Sequence, residues 1–198
     1  LAANARSLGE NFAQMVATLL DKGGVHEALR VDDDGRKALL RLHEEGRGIV
    51  LASAHLGNWE AVGAALARTS LSIVAVVREA YDTRFDAWFL RMRERAGMDS
   101  IPRGSKGAAF RMVRALRQNK VLAIPMDLAS RVPSIRVPFL GLDAPTAVGP
   151  ARVGLRTGAA VVVATLAPGN VVTVTPIDTS DLTASPEGEA ELTKRIND

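Results

Sequence analysis

Short apolar runs at residues 49–54, 71–77, 121–125 and 159–166 are separated by segments with helical periodicity, and this alternation constrains the fold more than any other feature of the chain. Strands that read as continuous Val, Ile, Leu and Ala runs are buried on both faces, which requires a largely parallel sheet with helices packed on each side. Ahead of the first run, residues 1–20 place Leu8, Phe12, Met15, Val16 and Leu19 at helical spacing, and residues 34–45 repeat the pattern with Leu39, Leu40 and Leu42 behind a cluster of aspartates. Helical segments are also expected after Trp59, at 83–95, at 105–118 (Ala109, Met112, Val113 and Leu116 on one face) and at 149–157, with a short extended piece near Ser100 and Ile101. The turn Pro168-Gly169-Asn170 joins the last long run to residues 171–176, an expected hairpin at the sheet edge. The stretch from Asp127 to Ala147 reads as a long proline- and glycine-containing connection, and a loop of that length is a candidate binding element. The expectation is one α/β domain over 1–198: N-terminal helices at 1–46, a core at 47–176 and an incomplete C-terminal segment at 177–198.

The absence of cysteine excludes a disulfide framework, a thiolate nucleophile and sulfur-ligated metal. Only His26, His43 and His55 could supply imidazole, and no second histidine lies at ligand spacing from His55, so no metal is expected. His26 and His43 lie on polar helical stretches and read as surface residues. No apolar run approaches the ~18–20 residues of a spanning helix. The formal charge is only +3, yet residues 78–131 carry twelve basic and six acidic residues. This basic middle third fits an acidic carrier protein, anionic headgroups or a solvated surface. Nucleic acid is the poorest partner for it, because aromatics make up only 4% of the chain and leave few platforms for base stacking.

The first strong strand runs into Ala54-His55-Leu56-Gly57-Asn58-Trp59-Glu60. The histidine therefore sits at a strand's carboxyl end, where open α/β sheets place ligands. Glu60, five positions on, can fold back to orient the imidazole as a general base, or else serve the first turn of the following helix, a favourable place for a carboxylate. Trp59 can line a substrate channel or pack the helix onto the sheet. Gly104-Ser105-Lys106-Gly107 lacks the spacing of a phosphate loop and reads as a helix start.

His55-Leu56-Gly57-Asn58-Trp59-Glu60 resembles the H-x4-[DE] signature of the bacterial lipid A biosynthesis acyltransferases, the lauroyl and myristoyl transferases, to which mycobacterial phosphatidylinositol mannoside acyltransferases are similar. The likeness continues in order through residues 117–127, ending in Pro125-Met126-Asp127, through Val137-Pro138-Phe139-Leu140-Gly141, and through 146–160, with Gly149-Pro150-Ala151-Arg152 and Thr157-Gly158-Ala159-Ala160. It covers roughly residues 1–176.

The resemblance implies a glycerolipid-acyltransferase-like sandwich that moves a fatty acyl chain from an acyl-carrier-protein or acyl-CoA thioester, used as co-substrate without other cofactor, to a hydroxyl of a lipid A-type glycolipid. In that scheme His55 is the base and Glu60 its orienting partner. Backbone N–H groups at Gly57 and Asn58 stabilise the oxyanion. Asp127 positions the acceptor or supports the site, unless it is an N-cap or turn aspartate. Arg152, Arg131 and Arg103 meet phosphate on the acceptor or carrier, with Lys106, Arg111, Arg114 and Arg117 nearby on a solvated face. The setting it implies is the cytoplasmic face of the bacterial inner membrane, by peripheral or anchored association. The family's N-terminal anchor and its tryptophan- and arginine-rich C-terminal segment are not visible in residues 1–198, which leaves open a soluble, divergent member with another acceptor. Pro125 and Met126 stand where relatives often carry polar residues. The alternatives are a phospholipid or phosphatidylinositol mannoside acyltransferase using acyl-CoA, and a non-catalytic lipid- or carrier-binding module of the same fold.

Overall fold

The computed structural model describes residues 2–20, 29–127, 132–139, 141–167 and 169–198. Its elements in chain order are α1 (Ala2–Leu19), β1 (Arg30–Val31), α2 (Asp33–Glu44), β2 (Ile49–Ser53), α3 (Trp59–Ala67), β3 (Ile73–Val77), α4 (Thr83–Arg95), β4 (Met98–Pro102), α5 (Ala108–Arg117), β5 (Val121–Pro125), β6 (Ser134–Phe139), β7 (Leu142–Ala147), α6 (Gly149–Thr157), β8 (Ala160–Ala167), β9 (Val171–Ile177) and α7 (Pro186–Asn197). The expected α/β architecture is present: a seven-stranded sheet in the order β1-β9-β8-β2-β5-β3-β4, flanked by helices. The pairs β8–β2, β2–β5, β5–β3 and β3–β4 are parallel, and β9 joins β8 as the expected antiparallel hairpin.

Helix starts follow from local chemistry. Asp32 caps α2 by accepting from the Gly35 N–H at 3.0 Å, with Asp33 and Asp34 in the first turn, where the helix dipole favours negative charge. Asp82 caps α4 and Ser185 caps α7 in the same way. The sheet separates two apolar cores. One contains Leu51, Leu66, Ile73, Phe89 and Met98 beneath α3 and α4; the other contains Val50, Val76, Leu116, Leu122 and Val161 beneath α5 and α6. Gly48 leads into β2 at φ +73°, and a Cβ there would lie 2.5 Å from the Leu116 carbonyl oxygen, so this close approach of two backbones requires glycine.

Four expectations need correction. The piece near Ser100 is a full five-residue strand in register with β3, its edge position masking the apolar pattern. The helix expected over 105–118 begins at Ala108, because Gly107 takes the left-handed conformation and residues 103–106 form a turn closed by Ser105 Oγ donating to the Pro102 carbonyl. Within 127–147 lies the antiparallel hairpin β6–β7, with Ser134 opposite Ala147; its prolines sit in a two-stranded ribbon, where a missing donor is tolerated. His43 is half-buried rather than a surface residue: Asn119 Nδ2 donates to its carbonyl oxygen at 2.9 Å and lies 3.5 Å from Nε2. His26 and Pro168 fall outside the described residues.

Candidate active site

Parallel register brings the key side chains together. Ser53 on β2 is paired with Pro125 on β5, so the chain two residues beyond each strand places His55 beside Asp127. One carboxylate oxygen accepts the His55 backbone N–H at 2.8 Å, and the other lies 2.8 Å from His55 Nδ1. An ionised carboxylate only accepts, so Nδ1 carries a proton, and in the neutral ring the lone pair then lies on Nε2. Burial pushes the Asp127 carboxyl upward, but hydrogen bonds from the His55 ring and backbone, together with the ring's charge, hold it below the ordinary carboxylate range. Trp59 packs edge-on against the imidazole, with ring centroids 4.7 Å apart.

Glu60 does not reach the imidazole. It is buried in the first turn of α3 and held by Arg93 of α4, whose Nη2 lies 2.5 Å from Oε1 and whose Nε is 3.1 Å from both oxygens. The reason is directional: successive residues of a helix point about 100° apart, so in the first turn of α3 Trp59 faces His55 while Glu60 faces Arg93 of α4. Arg93 was hidden in the sequence within an arginine-rich helix, where nothing separates the inward-facing arginine from Arg91 and Arg95.

The turn between His55 and α3 is built by Gly57, at φ +62°, and Asn58. Asn58 Oδ1 caps α3 by accepting from the Ala61 N–H at 3.1 Å, and Asn58 Nδ2 donates to Thr18 Oγ1 on α1 at 3.0 Å. That second bond ties the N-terminal helix to the turn.

His55 stands at the mouth of a cavity of about 1100 Å³. Its deeper part lies between the sheet and α3 and α4, lined by Leu51, Ala75, Ala123, Trp59, Gly63, Leu66, Phe89 and Met98, with Phe12 and Met15 of α1 as a roof and the Glu60–Arg93 pair in the wall. Ala75 and Ala123 on the central strands present only methyl groups to this space, while Gly63 on α3 lets the Met98 sulfur pack where a Cβ would collide with it. At the mouth the lining continues past Ile124, Met112, Val148 and Pro150 to Arg78, Arg103 and Arg152.

The expected substrate-binding arginines are dispersed. Arg103 is exposed at the mouth, with its backbone N–H bonded to the Val77 carbonyl oxygen. Arg152 touches the cavity, but its Nε donates to Glu189 of α7 at 2.8 Å, and Arg156 lies 3.3 Å from the other oxygen of that buried carboxylate. Arg131 lies outside the described residues. Lys106, Arg111, Arg114 and Arg117 are exposed around α5. Among the described residues, no helix is long and apolar enough to cross a membrane.

Comparison with known proteins adds to this geometry. The family model described as bacterial lipid A biosynthesis acyltransferase matches residues 8–197. The phosphatidylinositol mannoside acyltransferase of Mycobacterium tuberculosis (strain H37Rv) is 29% identical over 117 residues, 58% of this chain and 37% of its own length. That of Mycolicibacterium smegmatis is 28% identical over 143 residues, 71% of this chain and 46% of its own length. The matched stretch is thus less than half the length of these relatives.

Proposed function

Because the chain belongs to the bacterial lipid A biosynthesis acyltransferase family, we propose that it transfers a fatty acyl chain from a thioester, on acyl carrier protein or coenzyme A, to a hydroxyl of an anionic glycolipid. The observation that carries this reading is a histidine with its Nδ1 tied to a carboxylate, standing at the mouth of a cavity whose deep end is apolar.

The alkyl chain lies between the sheet and α3 and α4, and the thioester carbonyl rests at the mouth. His55 Nε2 accepts the proton of the attacking hydroxyl as its oxygen bonds to the carbonyl carbon. Asp127 fixes the tautomer and stabilises the imidazolium, replacing the role expected of Glu60. Backbone N–H groups of Gly57 and Asn58 at the start of α3 receive the oxyanion. Collapse of the tetrahedral intermediate breaks the C–S bond, the thiolate takes the proton from the imidazolium, and ester and thiol leave. General-base assistance of this kind supplies about 10²–10⁴-fold. Glu60 and Arg93 shape the cavity wall, while Arg78 and Arg103 face anionic groups at the mouth. The chemistry asks for no metal or further cofactor. The names of the mycobacterial relatives favour a phosphatidylinositol mannoside as the first acceptor to test, ahead of a lipid A-type glycolipid. Such an acceptor places the protein at a membrane surface, the cytoplasmic face of the bacterial inner membrane.

The test is thiol release from acyl-carrier-protein and acyl-CoA thioesters, with and without each acceptor, for the wild type beside His55→Ala, with the lipid product identified by mass. Release that needs both acceptor and His55 supports transfer and names the donor. Thioester binding without release, in the presence of either acceptor, replaces the enzyme reading with a binding module of the same fold.

A further inference from the structure

Helix α1 crosses α3 and α4 and touches the site in two ways. Phe12 and Met15 line the deep cavity, and Thr18, one turn further along the same face, is fully buried with its hydroxyl on Asn58 Nδ2. The Thr18 hydroxyl donates in turn to the Gln14 carbonyl oxygen at 2.8 Å, so its lone pairs face Asn58. Asn58 is itself buried, and its other amide atom caps α3. A continuous set of short contacts therefore runs from the surface that meets an alkyl chain to the turn carrying His55, Gly57 and Asn58.

We propose that Thr18 is a positioning residue that couples occupation of the cavity by an alkyl chain to the geometry of the 55–58 turn. The inference rests on the acyl-transfer reading above. A chain against Phe12 and Met15 adds apolar contact that holds α1 down on α3. Through Thr18 that docking fixes the Asn58 side chain, hence the direction of the N–H groups at the helix start. Binding energy from a part of the substrate remote from the carbonyl is then realised in the chemical step, which raises kcat and not only affinity. A short donor such as an acetyl thioester reaches the carbonyl position without touching α1 and forgoes this gain.

The experiment compares kcat and KM for acetyl, octanoyl and palmitoyl thioesters in the wild type, Thr18→Val and Thr18→Ser. Valine keeps the shape and removes the hydroxyl; serine restores it. In the wild type, kcat should rise from acetyl to the longer donors. In Thr18→Val the ratio of long-chain to acetyl kcat should fall about tenfold, the worth of one buried hydrogen bond left unmade, and Thr18→Ser should recover most of it. A general loosening of the fold would instead lower both rates alike, and an unchanged ratio overturns the proposal. Should the valine variant fail to fold, hydrogen exchange on the wild type decides the matter: palmitate should slow exchange of the amides at Gly57, Asn58 and Ala61, and no slowing in the presence of bound palmitate overturns the coupling. A wild type that binds palmitate with that protection yet releases no thiol from any donor sinks the acyl-transfer reading and not the link through Thr18.

Discussion

Replacing Asp127 by asparagine separates the two carboxylates that could serve His55. Asp127 accepts from both the ring Nδ1 and the backbone N–H of His55. In Asp127→Asn the amide keeps the volume, but its NH2 group can donate to Nδ1, which shifts the proton to Nε2 and removes the lone pair that must accept the hydroxyl proton. The expected loss in kcat is about 10³–10⁴, equivalent to about 4–5.5 kcal/mol of transition-state stabilisation, with little change in KM. Glu60→Gln should behave differently. Its side chain and that of Arg93 are 6% and 15% exposed, so the change strands a buried guanidinium and costs about 3–5 kcal/mol of stability. That is a fall of about 10 °C in Tm for a chain of this size. Turnover by the fraction that remains folded should stay within about an order of magnitude of the wild type. The assay pairs thiol release at saturating donor with thermal unfolding by circular dichroism. The reasoning is refuted if Asp127→Asn turns over at the native rate while Glu60→Gln keeps its Tm and loses turnover.

Gly48→Ala should cost about 2–3 kcal/mol, since it combines φ +73° with a Cβ 2.5 Å from the Leu116 carbonyl oxygen; urea unfolding should show a lower midpoint at unchanged slope. Glu189→Gln should cost only about 1–2 kcal/mol, because the arginines it releases, Arg152 and Arg156, are 37% and 62% exposed and can rehydrate; a Tm drop as large as that of Glu60→Gln would contradict this. The pH dependence has a defined sign. Asp127 titrates lower in the folded protein than the ~3.9 of an unfolded aspartate, so its contribution is fully present above that value and is lost as pH falls through the depressed one. Below about pH 4 the wild type should therefore lose stability more steeply than Asp127→Asn, in melting curves taken stepwise down in pH. Asp181, held at about 2 by its hydrogen bonds with the half-buried Arg195 guanidinium, is common to both proteins and should leave that comparison unaffected.

The strand order and the site were unequally legible. Residues 49–60 announced a strand and a helix because each is a local preference written in consecutive residues; the structure has both, and adds that Gly57 is left-handed and Asn58 caps the helix. The partner of His55 was not local. Asp127 is 72 residues away, and only the adjacency of β2 and β5 in the sheet makes it a neighbour. Apolar periodicity identifies strands but not which strands lie side by side. Proximity in sequence pointed to Glu60, whereas the packing of α3 on α4 claimed that carboxylate for Arg93. Thr18 and Asn58 show the same limit: a buried threonine in an amphipathic helix has no signature apart from the residue it meets, 40 positions on.

The pairing of β2 with β5 also sets when the molecule acquires its chemistry. Each rung between these strands joins residues about seventy positions apart, and such contacts form late because the intervening chain must first be closed into a loop. His55 and Asp127 meet only after that closure. Turnover is therefore a reporter of this closure, and a chain stalled short of it has no activity whatever secondary structure it has gathered.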